Sequence, residues 1–219
     1  MDRRTRAKRI LEALESRFEI PKFSEITGDP FKILVRTIIS QSTAEVNTRR
    51  AYENLSRKMR ITPKSLAEAD IREIEDALLV AGLYRNKSRI IKRVSQVILQ
   101  ELNGSFDFIY SKPLKEAREK LISLPGVGPK TADIILLFCA KKPVLPVDTH
   151  VNRVSKRLGL VPPKAGYERI REDLQALYSP EEYFKVHMLF ISLGRRICKA
   201  RKPKHAECPV NHLCPSTHI

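Results

Sequence analysis

The chain has 219 residues, 42% of them hydrophobic, and carries 41 Lys and Arg against 25 Asp and Glu, a formal net charge of +16. Such a length allows one large or two small domains with real cores, which excludes a disordered tail protein. The basic surplus points to a polyanionic partner, because the charge-rich surface of a thermophile enriches Glu along with Lys and would not leave this excess.

No apolar run approaches the roughly 20 residues of a membrane span, and the first residues, Met-Asp-Arg-Arg-Thr-Arg, lack the apolar centre of a signal peptide. The expectation is an intracellular protein of the cytoplasm or nucleoid, a monomer without a membrane partner, that binds nucleic acid.

Taken in order, residues 5–18 place Ile10, Leu11 and Leu14 on one helical face. Asp29 and Pro30 read as an N-cap and first-turn proline opening an apolar helix that gives out near Gln41-Ser42-Thr43. An amphipathic helix over about 44–55 follows, then two short ones over 63–69 and 70–79, the second capped by Asp70 and stopped by Gly82. Residues 86–102 form a basic amphipathic helix ended by Asn103-Gly104, and residues 113–123 and 131–140 form two more. Helices over 148–158, 166–178 and 180–198 complete the set. The one β-branched patch, residues 144–147, contains a proline, and no strand alternation appears anywhere. The fold class is all-α.

Between the helices over 113–123 and 131–140 lies Leu124-Pro-Gly-Val-Gly-Pro-Lys130-Thr-Ala. Gly126 and Gly128 bracket a turn that can adopt positive φ and bring its backbone close to a ligand. The free N–H groups of the following helix start suit a phosphate. A lysine placed there feels the positive end of the helix dipole, which disfavours its charged form, and a neutral amine is the nucleophile that covalent catalysis needs. Read by itself, the segment is also a plain loop with a solvated lysine, and Asp148 is a plain N-cap.

After Gly194, the residues Arg195, Arg196, Lys199, Arg201, Lys202 and Lys204 crowd together with no intervening acid. Cys198, Cys208 and Cys214 sit among prolines in a unit too small to bury a core of its own. In an intracellular chain the spacing is of the metal-binding type rather than that of a disulfide. Cys139 reads as a small hydrophobe in an apolar helix, and His187 and His212 are assigned no function.

The run 124–132, the segment Val147-Asp148-Thr149-His150 with Asn152-Arg153, the early Ile39-Ser-Gln41-Ser-Thr43, Ala81-Gly-Leu83-Tyr84 and the cysteine tail together resemble the endonuclease III family of DNA glycosylases. That family lies in the superfamily named for a helix-hairpin-helix followed by a Gly/Pro-rich loop and an aspartate. The resemblance covers nearly the whole chain. It implies that Lys130 is the catalytic lysine, attacking the deoxyribose C1′ and holding the sugar as a Schiff base, with Asp148 as the catalytic aspartate. It also implies that Gln41 enters the gap left by an extruded base and that Leu83 is an apolar wedge.

The partner implied is double-stranded DNA containing damaged bases or abasic sites, contacted through Gly126 and Gly128 and through Lys199, Arg201 and Lys202. Lys130 implies a bifunctional glycosylase and abasic-site lyase that removes oxidised pyrimidines. A monofunctional uracil or mismatched-thymine glycosylase and a noncatalytic helix-hairpin-helix DNA-binding protein are the alternatives.

The family holds a [4Fe-4S] cluster on four cysteines, whereas this chain reads Cys198-x6-His205-x2-Cys208-x5-Cys214. A cluster with His205 as one ligand is expected, with a Cys3His zinc site and an empty site as alternatives. The domain expectation is a central helical domain over 24–135, and a second lobe formed by 1–23 with 136–219 and ending in the metal loop.

Overall fold

A computed structural model describes residues 1–22 and 28–217, and every regular element among them is helical. In chain order these are α1 (Arg3–Glu15), α2 (Pro30–Ser40), α3 (Glu45–Lys58), α4 (Pro63–Glu68), α5 (Ile71–Leu78) and α6 (Tyr84–Glu101). They continue with α7 (Phe108–Ser111), α8 (Leu114–Ile122), α9 (Pro129–Phe138), α10 (Thr149–Arg157), α11 (Tyr167–Leu177) and α12 (Tyr183–Arg196). Short 3₁₀ turns occupy Pro180–Glu182, His205–Glu207 and Asn211–Leu213. The all-α fold read from the sequence is the one found.

The chain divides into two compact units, Thr27–Lys141 and Met1–Ile26 with Lys142–Ile219. The break expected between residues 23 and 24 lies outside the described residues. At the other expected break α9 runs straight through residue 135 to Phe138, and the unit extends to Lys141.

In the first unit, helix starts follow side-chain caps. Asp29 accepts from Lys32 N at 3.0 Å, with Pro30 in the first turn of α2. Thr62 caps α4 and Asp70 caps α5 in the same way, each satisfying an N–H that has no intrahelical partner. α6 is the longest helix and packs against α2, α4 and α5. Its Ile91, Val94 and Ile98 are fully buried, each contributing roughly 1.5–3 kcal/mol by leaving water. It ends as the sequence indicates, with Asn103 and Gly104 both at positive φ and Gly104 N bonded to Ile98 O at 2.9 Å.

Two details differ from expectation. Gly82 does not stop α5, which ends at Leu78; the left-handed residue is Leu83, at φ +59. Gly82 instead allows a close approach, since a Cβ there would stand 3.4 Å from the Ser42 carbonyl oxygen. The four-residue α7 is too short to show a hydrophobic period, so the sequence reading passes over it.

The second unit is built on α1, α10, α11 and α12. Ile10, Leu11 and Leu14 of α1 pack in one buried cluster with Val151 and Val154 of α10 and Phe190 of α12. The apolar stretch over residues 144–147 is buried but not a strand. Its backbone polar groups are met by side chains: Gln175 Oε1 accepts from Leu145 N at 3.2 Å, and His187 Nδ1 donates to Pro146 O at 2.9 Å. His187, without a role from sequence, is thus a buried support for the segment leading to Asp148.

α8 and α9 are joined by a buried ion pair. Arg118 Nε meets Asp133 Oδ1 at 2.6 Å and its Nη2 meets Oδ2 at 3.3 Å, with the Asp133 side chain fully buried. Removing the carboxylate breaks a charge pair whose guanidinium is itself only 16% exposed. Asp133→Ala is therefore expected to lower the unfolding free energy by about 3 kcal/mol, measured by urea denaturation.

Candidate catalytic and nucleic-acid-binding site

Leu124 and Val127 are buried and anchor the turn between α8 and α9, with Val127 N bonded to Leu124 O at 3.1 Å. Of the two glycines, only Gly126 takes positive φ, +76. A Cβ on it would lie 2.3 Å from Ile90 Cγ2 of α6, so this position is glycine for conformation and for space. Gly128 has extended backbone, φ −92 and ψ 176, that any residue adopts, and a Cβ there would meet nothing within 4 Å. Its glycine leaves open surface beside the start of α9, where an incoming backbone can come close. Pro129 occupies the first turn of α9 and Lys130 follows it, exposed, while Thr131, Ala132 and Asp133 are buried beneath. The lysine thus rides on a packed helix end rather than on a free loop.

Two more predicted residues stand in the same unit. Gln41 terminates α2, is exposed, and its Nε2 donates to Gly126 O at 3.4 Å, a long bond. Leu83 precedes α6, is 67% exposed and holds a left-handed backbone, an unfavourable state for a bulky residue. Gly82 touches Ser42. The Gln41 turn therefore meets both the Gly126 hairpin and the Leu83 loop.

Asp148 belongs to the other unit. It caps α10, with Oδ1 accepting from Val151 N at 2.7 Å, and it is half-buried. Two residues on, His150 packs against Gly194 of α12, where a Cβ would stand 2.9 Å from the His150 Cβ. Arg153 Nη2 lies 3.1 Å from His150 Nδ1; the guanidinium donates, which puts the imidazole hydrogen on Nε2. Burial lowers the His150 pKa; Asp148 opposes this, and Arg153 and Arg195 reinforce it. Sequence reasoning gave His150 no role, because the signal is its contact with a glycine 44 positions away along the chain.

In the tail, Cys198, His205, Cys208 and Cys214 line one pocket, and all three thiols are free. Burial raises the Cys208 and Cys214 thiols, and the neighbouring thiols add to this. Three thiols and an imidazole crowded in this way form a donor set that a cationic centre would relieve, and they fit an iron–sulfur group. Among the described residues no three His, Cys, Asp or Glu are grouped closely enough to hold a single metal ion. The loop is pinned from α10. Arg157 donates to Lys199 O at 2.7 Å and Ala200 O at 3.1 Å, and Arg153 donates to Cys198 O at 3.0 Å. Lys199, Arg201 and Lys202 are exposed on that loop, Lys202 at φ +50. Cys139 is half-buried rather than in the core, because it caps the end of α9; burial pushes its thiol up to about 12.

The chain is similar to known proteins. The family model described as HhH-GPD superfamily base excision DNA repair protein matches residues 35–180, and that of the iron-sulfur binding domain of endonuclease III matches residues 198–214. The chain is 36% identical to endonuclease III of Thermotoga maritima over 186 residues, covering 85% of this chain and 83% of that protein. It is likewise 36% identical to endonuclease III of Sulfolobus acidocaldarius over 190 residues, covering 86% and 82%. The solved structure of a trapped endonuclease III–DNA covalent intermediate, an estranged-adenine complex, matches with a TM-score of 0.87 at 29% identity, covering 100% of this chain and 98% of that one.

The two hairpin glycines separate fold from contact. Gly126→Ala is expected to cost roughly 2 kcal/mol or more in denaturant unfolding, through strain and collision with Ile90. Gly128→Ala stays within about 0.5 kcal/mol in the same measurement yet weakens binding to duplex DNA in a filter or anisotropy assay.

Proposed function

The chain belongs to the endonuclease III family of base excision DNA repair proteins, and we propose that Lys130 is the nucleophile of its DNA glycosylase and abasic-site lyase activity. As a member it is an enzyme of base excision repair whose partner is DNA. Among the described residues no helix is long and apolar enough to cross a membrane. The observation that carries the assignment of Lys130 is its placement: an exposed amine at the packed N-terminus of α9, directly after a hairpin whose Gly128 leaves its surroundings open.

The chemistry follows from the bonds involved. A base inside a stacked duplex is out of reach, so the nucleotide must first be extruded, at a cost of a few kcal/mol. The Lys130 amine attacks C1′, the bond from C1′ to the base breaks, and the base leaves with the bonding pair. Loss of a proton from nitrogen and opening of the sugar ring give the Schiff base. Removal of a C2′ proton then expels the 3′ phosphate, and water releases the lysine. Asp148 is the catalytic aspartate that the family resemblance implies. Its Oδ1 is committed to the cap of α10, which holds the group rigid, and Oδ2 takes no hydrogen bond among the described residues. Gln41 and Leu83 fill the space the nucleotide vacates. Backbone N–H groups at Gly126 and Gly128 and the cations Lys199, Arg201 and Lys202 meet phosphates, which positions the duplex without reading its sequence. The substrates are oxidised pyrimidines, as the family resemblance implies.

In the tail the group is a [4Fe-4S] cluster with His205 in place of one cysteine. The match of residues 198–214 to the iron-sulfur binding domain of endonuclease III supports an iron–sulfur group over a Cys3His zinc site. His205 suits either metal: its Nδ1 lies 3.2 Å from Thr217 O, a carbonyl that only accepts, so the hydrogen sits on Nδ1 and the Nε2 lone pair is left for a ligand bond. The cluster supplies cross-linking iron–sulfur bonds that a tail with so little core needs.

Two outcomes test this reading. Borohydride added during reaction with a duplex bearing an oxidised pyrimidine is expected to trap a protein–DNA adduct that Lys130→Gln abolishes. Base loss without an adduct would instead fit a monofunctional enzyme acting on uracil or mismatched thymine, and binding without base loss a noncatalytic module. For the tail, purified protein is expected to contain iron and sulfide and to absorb in the visible. His205→Ala lowers the iron content and His205→Cys retains it; a colourless, zinc-containing protein would replace the cluster in this account.

A further inference from the structure

One turn after the exposed Leu83, α6 sends Lys87 inward. Lys87 is 2% exposed, while Arg85, Asn86 and Arg89 around it are exposed. Buried lysines ordinarily have a carboxylate partner; among the described residues Lys87 has none, and burial alone lowers its pKa. Its ammonium donates instead to Ile39 O at 2.8 Å and to the Thr43 hydroxyl. Ile39 lies in the last turn of α2, whose final carbonyls lack intrahelical partners and carry the negative end of the helix dipole. The end of α2 is therefore the counter-charge of Lys87. Through its main chain the same residue is bonded to the wedge loop, Lys87 N to Leu83 O at 3.1 Å.

Ile39 and Thr43 flank Gln41. One residue thus grips both sides of the Gln41 turn with its side chain and the Leu83 loop with its backbone. Each loop also contains a non-glycine residue in the left-handed region, Ser42 at φ +51 and Leu83 at φ +59. Such conformations persist only where the surroundings enforce them.

We propose that Lys87 is a positioning residue that holds Gln41 and Leu83 at a fixed separation, so that both enter the duplex together as a nucleotide leaves it. The inference rests on the reading of those two residues as the ones that fill the vacated space. A filler offsets lost stacking only if it is already in place, since ordering a loose loop at that moment consumes the gain.

The test is single-turnover base excision by the full chain on one oxidised pyrimidine in two settings: paired in a continuous duplex, and unpaired as a one-base bulge, where extrusion costs least. Lys87→Met is expected to slow the paired substrate by about ten- to a hundredfold and the bulged one by no more than about threefold. Thr43→Val, which removes one acceptor and keeps the lysine, shifts the ratio the same way by a smaller factor, and decides the matter if Lys87→Met loses its helical circular dichroism. Equal slowing on both substrates, or none, by the folded variants would overturn the proposal. Gln41→Ala and Leu83→Ala are measured alongside. If these show no preference for the paired substrate, the space-filling reading itself is wrong. If they do and the Lys87 and Thr43 variants do not, only the role of Lys87 falls.

Discussion

The contact between Gly126 and Ile90 decides where Lys130 stands. With a φ of +76 and no room for a Cβ, the turn lies directly on α6, and α9 starts only three residues later. The bond from Gln41 Nε2 to Gly126 O, at 3.4 Å, is too long to fix the turn. Packing fixes it, and Gln41 leans on a surface already placed. α6 thus carries three attachments along its first two turns: Leu83 at its start, Lys87 gripping the end of α2, and Ile90 under the hairpin. Three loops far apart in the sequence share one rigid support.

The second unit solves a different problem. Its tail contributes Val210 to the buried cluster and little else that is fully buried, so apolar burial alone does not hold it. Arg153 and Arg157, one turn apart on α10, instead donate to the carbonyls of Cys198, Lys199 and Ala200, while Cys214 Sγ and Ser216 Oγ donate back to Arg157 O. Hydrogen bonds of this charge-assisted kind are roughly twice as strong as neutral ones. Surface ion pairs such as Lys204 with Glu207, both exposed, contribute at most about 1 kcal/mol. The tail is fastened at its base by guanidinium groups, and the cations beyond them are left free of that task.

Much of this was legible in the sequence because helix ends are local. Asp29, Thr62, Asp70 and Asp148 each cap the helix that follows, and the apolar period of α1 and α2 names their buried faces. The hairpin, Lys130 and the spacing of the tail cysteines and His205 were legible for the same reason, since each is a short contiguous pattern. What stayed hidden depends on contacts across the chain. Lys87 reads as one more cation on a basic helix until Ile39, 48 positions earlier, is found against its ammonium. Gly82 looks like a helix stop, yet its neighbour Leu83 takes the left-handed conformation and Gly82 serves the approach of Ser42. His150 shows its constraint only through Gly194.

The division of labour between exposed and buried groups follows from what an enzyme acting on duplex DNA must do. Gln41, Leu83, Lys130, Lys199, Arg201 and Lys202 are all exposed and contribute little to the stability of the free protein. The groups that place the first three, Lys87, Asp133 and Ile39, are buried and bonded. Binding to a sequence-neutral phosphate lattice asks only for charge at the surface, but exchanging a base for a side chain asks for a fixed geometry. Asp148 stands at the boundary of the two classes. One carboxylate oxygen satisfies α10 and is worth about 1 kcal/mol as a cap, and the other is left over. The same side chain is therefore held by the fold and available to chemistry, and its structural duty is what keeps the charge in position.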